Sequence, residues 1–443
     1  VSEPQTAVAF EACRIQVIDS DNGWPVPLVE LRTTHGVRFV SDNAGIVAFD
    51  LPELMNTETW FHVHGHGYSV KEDGIGYYGV RLVPKSGQSL TIKVDRHLAA
   101  KRLGRITGGG LFAESQKLGE HTDWSEQGIL GCDSVQNAVH NGRLVWGWGD
   151  TVLPHYPLGR FHMIGATTSL APLKSFQPPI GLRYDYVKDD RGVPVNVAEL
   201  AGDGPTWLSG YVSLPDQKGG QQLVATYSKI RPPLTEYEKG LCVWNQHQSR
   251  FEKLKTLWTR SPQQPEPPPS PHGHAVFWTD NDKQRWVLFG DPFVTLKCPA
   301  TFEAWSNPDS WIQLTPQKTV PVSESTLQVR PHRGAIAWND FRNKWVTVFT
   351  ELGGESSYLG EIWYAESDQP DGPWANAVKV VTHDQYSFYN PQLHCEFTPA
   401  GSPILLFEAT YTHTFSENTE PTPRHDYNQV LYRLDLDEMK PSQ

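Results

Sequence analysis

GRLVWGWGD (residues 142–150), QQLVATYSK (221–229), QRWVLFGD (284–291), NKWVTVFTE (343–351) and SPILLFEAT (402–410) share one form, an apolar run of strand length that closes on polar or acidic residues. With Leu144, Leu223, Trp286, Trp345 and Ile404 as equivalent points, the steps are 79, 63, 59 and 59 residues. Such a recurrence, built from short strands with no helical period, is the spacing of a four-stranded propeller blade. The third unit reads as GHAVFW, RWVLFG, TFEAWS and SWIQLT, and the fourth as RGAIAWN, KWVTVFT, GEIWYAES and AVKVVT. In the fifth, an inner strand near QLHCEFT precedes PILLFEAT and NQVLYRLDLD, and no fourth strand follows. Residues 105–113 (RITGGGLFA) would supply it, pairing the two ends of the ring and leaving no open edge. The Pro-rich run 262–271 lies between units and reads as a loop joining blades.

Upstream, the pattern changes to CRIQVID, PLVELRT, RFVSD, GIVAFDL, TWFHVHGHGY, GVRLVP and LTIKVDR, punctuated by turns such as Asp21-Asn22-Gly23 and Asn43-Ala44-Gly45. Alternation at this spacing predicts a β-sandwich. The chain is therefore expected to be all-β: an N-terminal sandwich of immunoglobulin or transthyretin type over 1–103 and a five-bladed propeller over 104–443. At 443 residues it is too long for one ordinary core.

Composition narrows the partner. A net charge of −12 without a Lys/Arg block argues against nucleic acid and anionic membrane. Sixteen Trp against three Met suit a surface that stacks on sugar rings, although blade cores also consume Trp. No run approaches about 18 apolar residues, so no membrane span is expected. The first residues carry no basic-then-apolar leader, as in a mature secreted or periplasmic chain. Cys13, Cys132, Cys242, Cys298 and Cys395 are scattered, with no CxxC pair and no zinc or disulfide framework. Oligomeric state is not legible.

Blade topology turns the repeat into positions. Second strands end at Asp150, Lys229, Asp291, Glu351 and Glu408, and innermost strands begin near Asp133, Trp207, His272 with His274, Arg330 with His332 and Arg333, and Asn390 with His394. All of these fall on one face of the disc. Asp133, Asp150, Asp291, Glu351 and Glu408 are thus candidate catalytic carboxylates, since glycoside hydrolysis needs one acid and one base or nucleophile flanking a bond. Trp148, His272, His274, His332, Arg333, Tyr389, Asn390, His394, Tyr411 and Arg424 are candidate substrate contacts. His413 and Tyr427 share the long loop with Arg424. His62, His64 and His66 sit at i, i+2, i+4, but Gly65 breaks the strand and no fourth ligand is evident, so no metal site is assigned.

The order VxDxxxGxPVPxVxL, SDNAGIVAFDLP and a strand ending HGY resembles the carboxypeptidase-regulatory, transthyretin-like domain, which implies an accessory module. GEIWYAESDQPDGPWANAVKVV (360–381), with WGD at 148–150 and FGD at 289–291, resembles the blade hairpins of five-bladed glycosidase propellers and of uncharacterised bacterial propeller domains. The former include the arabinanases, xylosidases and invertases of glycoside hydrolase families 43 and 32. That resemblance implies two aspartates and a glutamate from different blades, mapping onto Asp133 or Asp150, Asp291, and Glu351 or Glu408. It implies an enzyme, a glycoside hydrolase acting on a poly- or oligosaccharide. The alternatives are a polysaccharide lyase using Tyr or His with Arg on a uronate, and a non-catalytic glycan-binding scaffold. No cofactor is required, and a calcium ion in the channel, which some related propellers hold, would fit either class.

Overall fold

The computed structural model describes residues 11–125, 128–160, 162–170 and 177–439. Strands dominate throughout. The first eight form two four-stranded sheets, in the spatial orders Ile46–Phe49, Cys13–Asp19, Ser89–Arg96, Tyr68–Ser69 and Arg38–Val40, Glu30–Thr33, Thr59–His64, Gly79–Leu82. Cys13–Asp19 alternates buried and part-buried residues because only one side of its sheet meets a partner. Ile15, Val17 and Ile92 from one sheet and Leu31, Phe61 and Val63 from the other share a core, which makes the pair a sandwich. The expected strand TWFHVHGHGY is cut at Gly65, where a Cβ would lie 2.2 Å from the Tyr68 carbonyl oxygen.

Five four-stranded antiparallel sheets follow, each built outward from its innermost strand, the fifth completed by a strand from the N-terminal end of the ring. Their innermost strands are Gln136–His140, Thr206–Pro215, Val276–Thr279, Pro331–Asn339 and Ser387–Leu393. One channel cavity of about 270 Å³ is lined by residues of all five, including Asn137, Val212, Val276, Ala335 and Gln392. The sheets are therefore five blades around a common axis. Second strands lie between neighbouring blades and are buried on both sides, as in Lys344–Glu351, whose six central residues are all buried. Each such Val or Phe contributes about 1.5–3 kcal/mol, which is why these runs dominate the sequence repeat.

The details correct the sequence reading at three points. TFEAWS is not a strand: the third strand of that blade is Val294–Pro299, and Phe302–Ser306 is a helix whose cap Thr301 accepts a hydrogen bond from the Ala304 amide at 3.2 Å. The fifth blade's inner strand is Ser387–Leu393, earlier than QLHCEFT, whose Cys395–Phe397 forms a 3-10 turn. The closing strand is Lys101–Arg105, paired with Asn428–Asp435. It spans the expected boundary at 103/104 and shares only Arg105 with the segment 105–113 assigned to closure, whose last residue, Ala113, opens the short helix Ala113–Lys117. The Pro-rich run does connect the second blade to the third.

Polar groups join sandwich and propeller. Arg102, on the closing strand, is buried; it donates to the carbonyls of Gly65 (2.7 Å), Pro27 (2.9 Å), His66 (3.2 Å) and Leu28 (3.3 Å) and lies 5.1 Å over the Tyr68 ring. Asn43 bonds both the amide and the carbonyl of Arg105, at 3.0 and 2.8 Å. His66 stacks on His383 of the fifth blade with ring centroids 3.3 Å apart. Among the described residues, no helix is long and apolar enough to cross a membrane.

Candidate active site

The face at which innermost strands begin carries two acidic groups that meet over an arginine. Asp133 precedes the first innermost strand and Asp150 follows its neighbour Arg143–Trp148, so the meander brings them side by side. The Gly149 amide donates to the Asp133 carbonyl at 2.8 Å, locking that turn. Tyr389, from the fifth blade, donates to Asp133 Oδ2 at 2.6 Å, and Tyr427 donates to the same carboxylate. Burial raises the Asp133 pKa above its usual value, against these hydroxyl bonds.

Asp150 is poorer in partners. Among the described residues its side-chain donor is the Trp207 indole Nε1, 3.3 Å from Oδ1. Burial, with the Asp133 charge added, pushes its carboxyl up to about 7, and the indole bond offsets only part of this. Trp207 is held by the segment before it: the fully buried Lys229 ammonium donates to Gly204 O (2.8 Å), Leu200 O (3.0 Å) and Thr206 Oγ1 (3.2 Å). Lys229 therefore braces a loop and does not face substrate.

Asp291 follows the second strand of the third blade. It accepts from the Gly334 amide at 2.8 Å and lies 3.5 Å from the Arg333 guanidinium. Burial raises its pKa, while Arg333, that amide and His272 oppose the rise. Arg333 is half exposed, donates to Asn390 Oδ1 at 3.2 Å, and also lowers Asp133 electrostatically. It thus stands between the Asp133–Asp150 pair and Asp291. His272 lies beside this group, its Nδ1 3.0 Å from the Ser270 carbonyl.

Other expected residues fall elsewhere. Glu408 is not at a strand end, because Ile404–Thr412 runs four residues further; it pairs with Gln392 inside the blade and is fully buried against His394, Oε1 to Nε2 2.8 Å. His394 is fully buried too, so neither touches the open face. Glu351 ends its strand as expected but accepts from Trp363 Nε1 at 2.8 Å, and its charged neighbours Glu361, Lys379 and Glu355 belong to its own blade, so it is not gathered with the aspartates. Trp148 is wholly buried, stacked 5.7 Å from Trp146. Tyr411 is wholly buried, with its hydroxyl 2.7 Å from His383 Nε2. Arg424 pairs with Glu114 at 2.5 Å, away from the aspartates. His274 lines the channel rather than the face and is held neutral by burial, down to about 3. His332 is part-buried beside Arg333.

One residue on this face has no sequence signal. Phe415, in the long loop of the fifth blade, is 60% exposed and meets the Tyr389 ring edge-on at 6.3 Å. It offers an apolar surface beside the Asp133 cluster. Among the described residues no group of three His, Cys, Asp or Glu side chains is placed to hold a metal ion.

Gly149 permits the close approach of the two acids. A Cβ there would lie 2.4 Å from Asp133 Oδ1. Gly149→Ala is expected to displace that carboxylate with little change in thermal midpoint, which a structure of the variant and a melting curve check.

No family model matches the chain, and no curated protein does. Solved structures similar to it include the exo-1,5-α-L-arabinanase from a bovine ruminal metagenomic library, 9% identical over 70% of this chain and 94% of that one, TM-score 0.39. The glycoside hydrolase family 43 YxiA protein from Bacillus licheniformis is 11% identical over 69% and 71%, TM-score 0.38. The GH43_1 enzyme from Xanthomonas citri, complexed with xylose, is 11% identical over 69% and 87%, TM-score 0.36. Likeness at this level leaves the chemistry to this chain's own side chains.

Proposed function

We propose that the chain is a glycoside hydrolase that cleaves a poly- or oligosaccharide on the propeller face, with Asp150 as general acid and Asp291 as the ionised partner. The observation that carries this is the contrast between the two carboxyls. Asp150 has one weak donor and an anionic neighbour, and sits at about 7, where a carboxylic acid can deliver a proton at neutral pH. Burial raises the Asp291 carboxyl too, but an amide donor and a guanidinium, which Asp150 lacks, oppose the rise and favour the carboxylate a base or nucleophile requires. Asp133 acts through Asp150, its charge adding to the burial that keeps the acid protonated. Arg333, Asn390 and Phe415 are placed to hold the sugar.

The lyase alternative needs an ionisable base on the same face. Tyr389 and Tyr427 both donate to Asp133, and burial with the Asp133 charge pushes both hydroxyls far up, which weighs against either as that base. A polymeric substrate suits a secreted or periplasmic location. No cofactor enters the chemistry.

The test is the pH–rate profile on any glycan the protein cleaves. Asp150 must be protonated to act, so kcat/KM falls as pH rises through about 7. Trp207→Phe removes the donor that favours the charged form, so the alkaline limb moves to higher pH. An unmoved limb in that variant removes Asp150 from the acid role.

A further inference from the structure

A cavity of about 690 Å³ lies where the outer surface of the second sandwich sheet meets the segment entering the fifth blade and that blade's long loop, with Asn418, Glu420 and Thr422. Alternation in Thr59–His64 sends Phe61 and Val63 into the core and leaves His62 and His64 outward, and Arg32 on the adjacent strand pairs directly opposite His62. These form its floor. One wall is the turn carrying Tyr77 and Tyr78, and the other is Asp384, Gln385 and Tyr386 of the propeller.

The aromatic wall is preformed. Asp73 Oδ1 accepts from the amides of Ile75 (2.8 Å) and Tyr77 (2.9 Å), Gly76 takes φ +99°, and Tyr78 donates to Glu72 at 3.0 Å. Tyr77 and Tyr78 are 53% and 46% exposed, and Tyr77 meets His62 edge-on at 5.9 Å. Among the described residues, the side chains of Arg32 and His62 and the Tyr77 hydroxyl make no hydrogen bond or ion pair, although they line a polar cleft. Rigid exposed rings beside unused donors form a surface that loses little entropy on binding.

We propose that this cleft is a second carbohydrate site, which binds a neutral oligosaccharide with Tyr77 and Tyr78 against ring faces and Arg32, His62 and Gln385 on hydroxyls. The volume lies within the range of about 300–1,000 Å³ usual for ligand pockets. A neutral chain is favoured because carboxylates outnumber the cations: Arg38 is tied to Glu30 at 2.7 Å and Glu420 at 3.2 Å, and Asp384 lines the cleft with Arg32. No net positive field is present to offset desolvation of a uronate or sulfate. The site is independent of the propeller chemistry; it would hold a glycan whether or not the face cleaves it.

The test is calorimetric titration of the full chain carrying Asp150→Asn, so that nothing is hydrolysed, with neutral cello-, xylo-, arabino-, galacto- and manno-oligosaccharides, and with oligogalacturonate and a sulfated oligosaccharide. At least one neutral series is expected to bind. Adding Tyr77→Ala or Arg32→Ala weakens it about tenfold or more, whereas Tyr77→Phe retains it and Asp291→Asn leaves it unchanged. No binding by any neutral series overturns the proposal, and binding of charged glycans alone overturns the ligand class. Binding that survives Tyr77→Ala but fails with Asp291→Asn places the glycan on the propeller face, overturning the cleft while sparing the hydrolase reading.

Discussion

Asp150→Asn lowers kcat by about 10²–10⁴-fold, the range that positioned proton transfer supplies. The amide has nearly the same shape and still accepts from the Trp207 indole, so the cluster stays in place and substrate binding is retained. What is lost is the proton for the leaving oxygen. Glycosides with good leaving groups, which need no such proton, are therefore expected to recover most of their rate in this variant. Asp291→Asn produces a comparable loss on the polymer but no such recovery, since it removes the group that attacks or activates water. The amide also leaves Arg333 without its 3.5 Å carboxylate partner. Steady-state kinetics on a natural glycan and an activated aryl glycoside separate the two roles. Equal recovery in both variants would reverse or void the assignment.

His394→Ala is expected to cost about 3–5 kcal/mol of stability, the usual result of stripping one partner from a buried ion pair. His394 is fully buried between Glu408 (2.8 Å) and Glu396 (3.1 Å), with Trp146 and Phe397 packed on its ring. Burial alone would favour the neutral ring, but the two hydrogen bonds and the two charges outweigh it and raise the imidazolium to about 9. The sign follows: a pKa above the unfolded value of about 6.5 contributes stability that is complete below that pH and lost as pH rises through about 9. Wild type should therefore lose roughly 3 kcal/mol between these limits, and His394→Ala should not. Denaturant melts at both ends of the window measure this. A wild-type curve flat across it would mean that the pair is not ionised.

The ring was legible because second strands are buried on both sides and cannot vary in character, so the same apolar run recurs five times. The third unit's helix was hidden because an aromatic run such as TFEAWS satisfies a strand pattern as well as a helix one, and Thr301 decides through a cap that periodicity does not register. The location of Asp150 and Asp291 just after second strands was legible because strand-end position fixes face and height. Glu408 was misplaced because the apolar run fades at Thr410 while the backbone ladder continues to Thr412. Trp148 and Tyr411 show the same limit from the other side: an aromatic in a blade points either to a neighbouring blade or to the open face, and sequence alternation distinguishes the two only when one side is wet. Phe415 left no trace because its role comes from a loop folded over Tyr389.

The central claim is most directly tested by digesting a broad glycan panel with wild type and with Asp150→Asn, reading products by mass and ultraviolet absorbance together. The account predicts saturated oligosaccharides from wild type that the substitution abolishes. An unsaturated, ultraviolet-absorbing product, or no product from any glycan while both proteins still bind one, would contradict it.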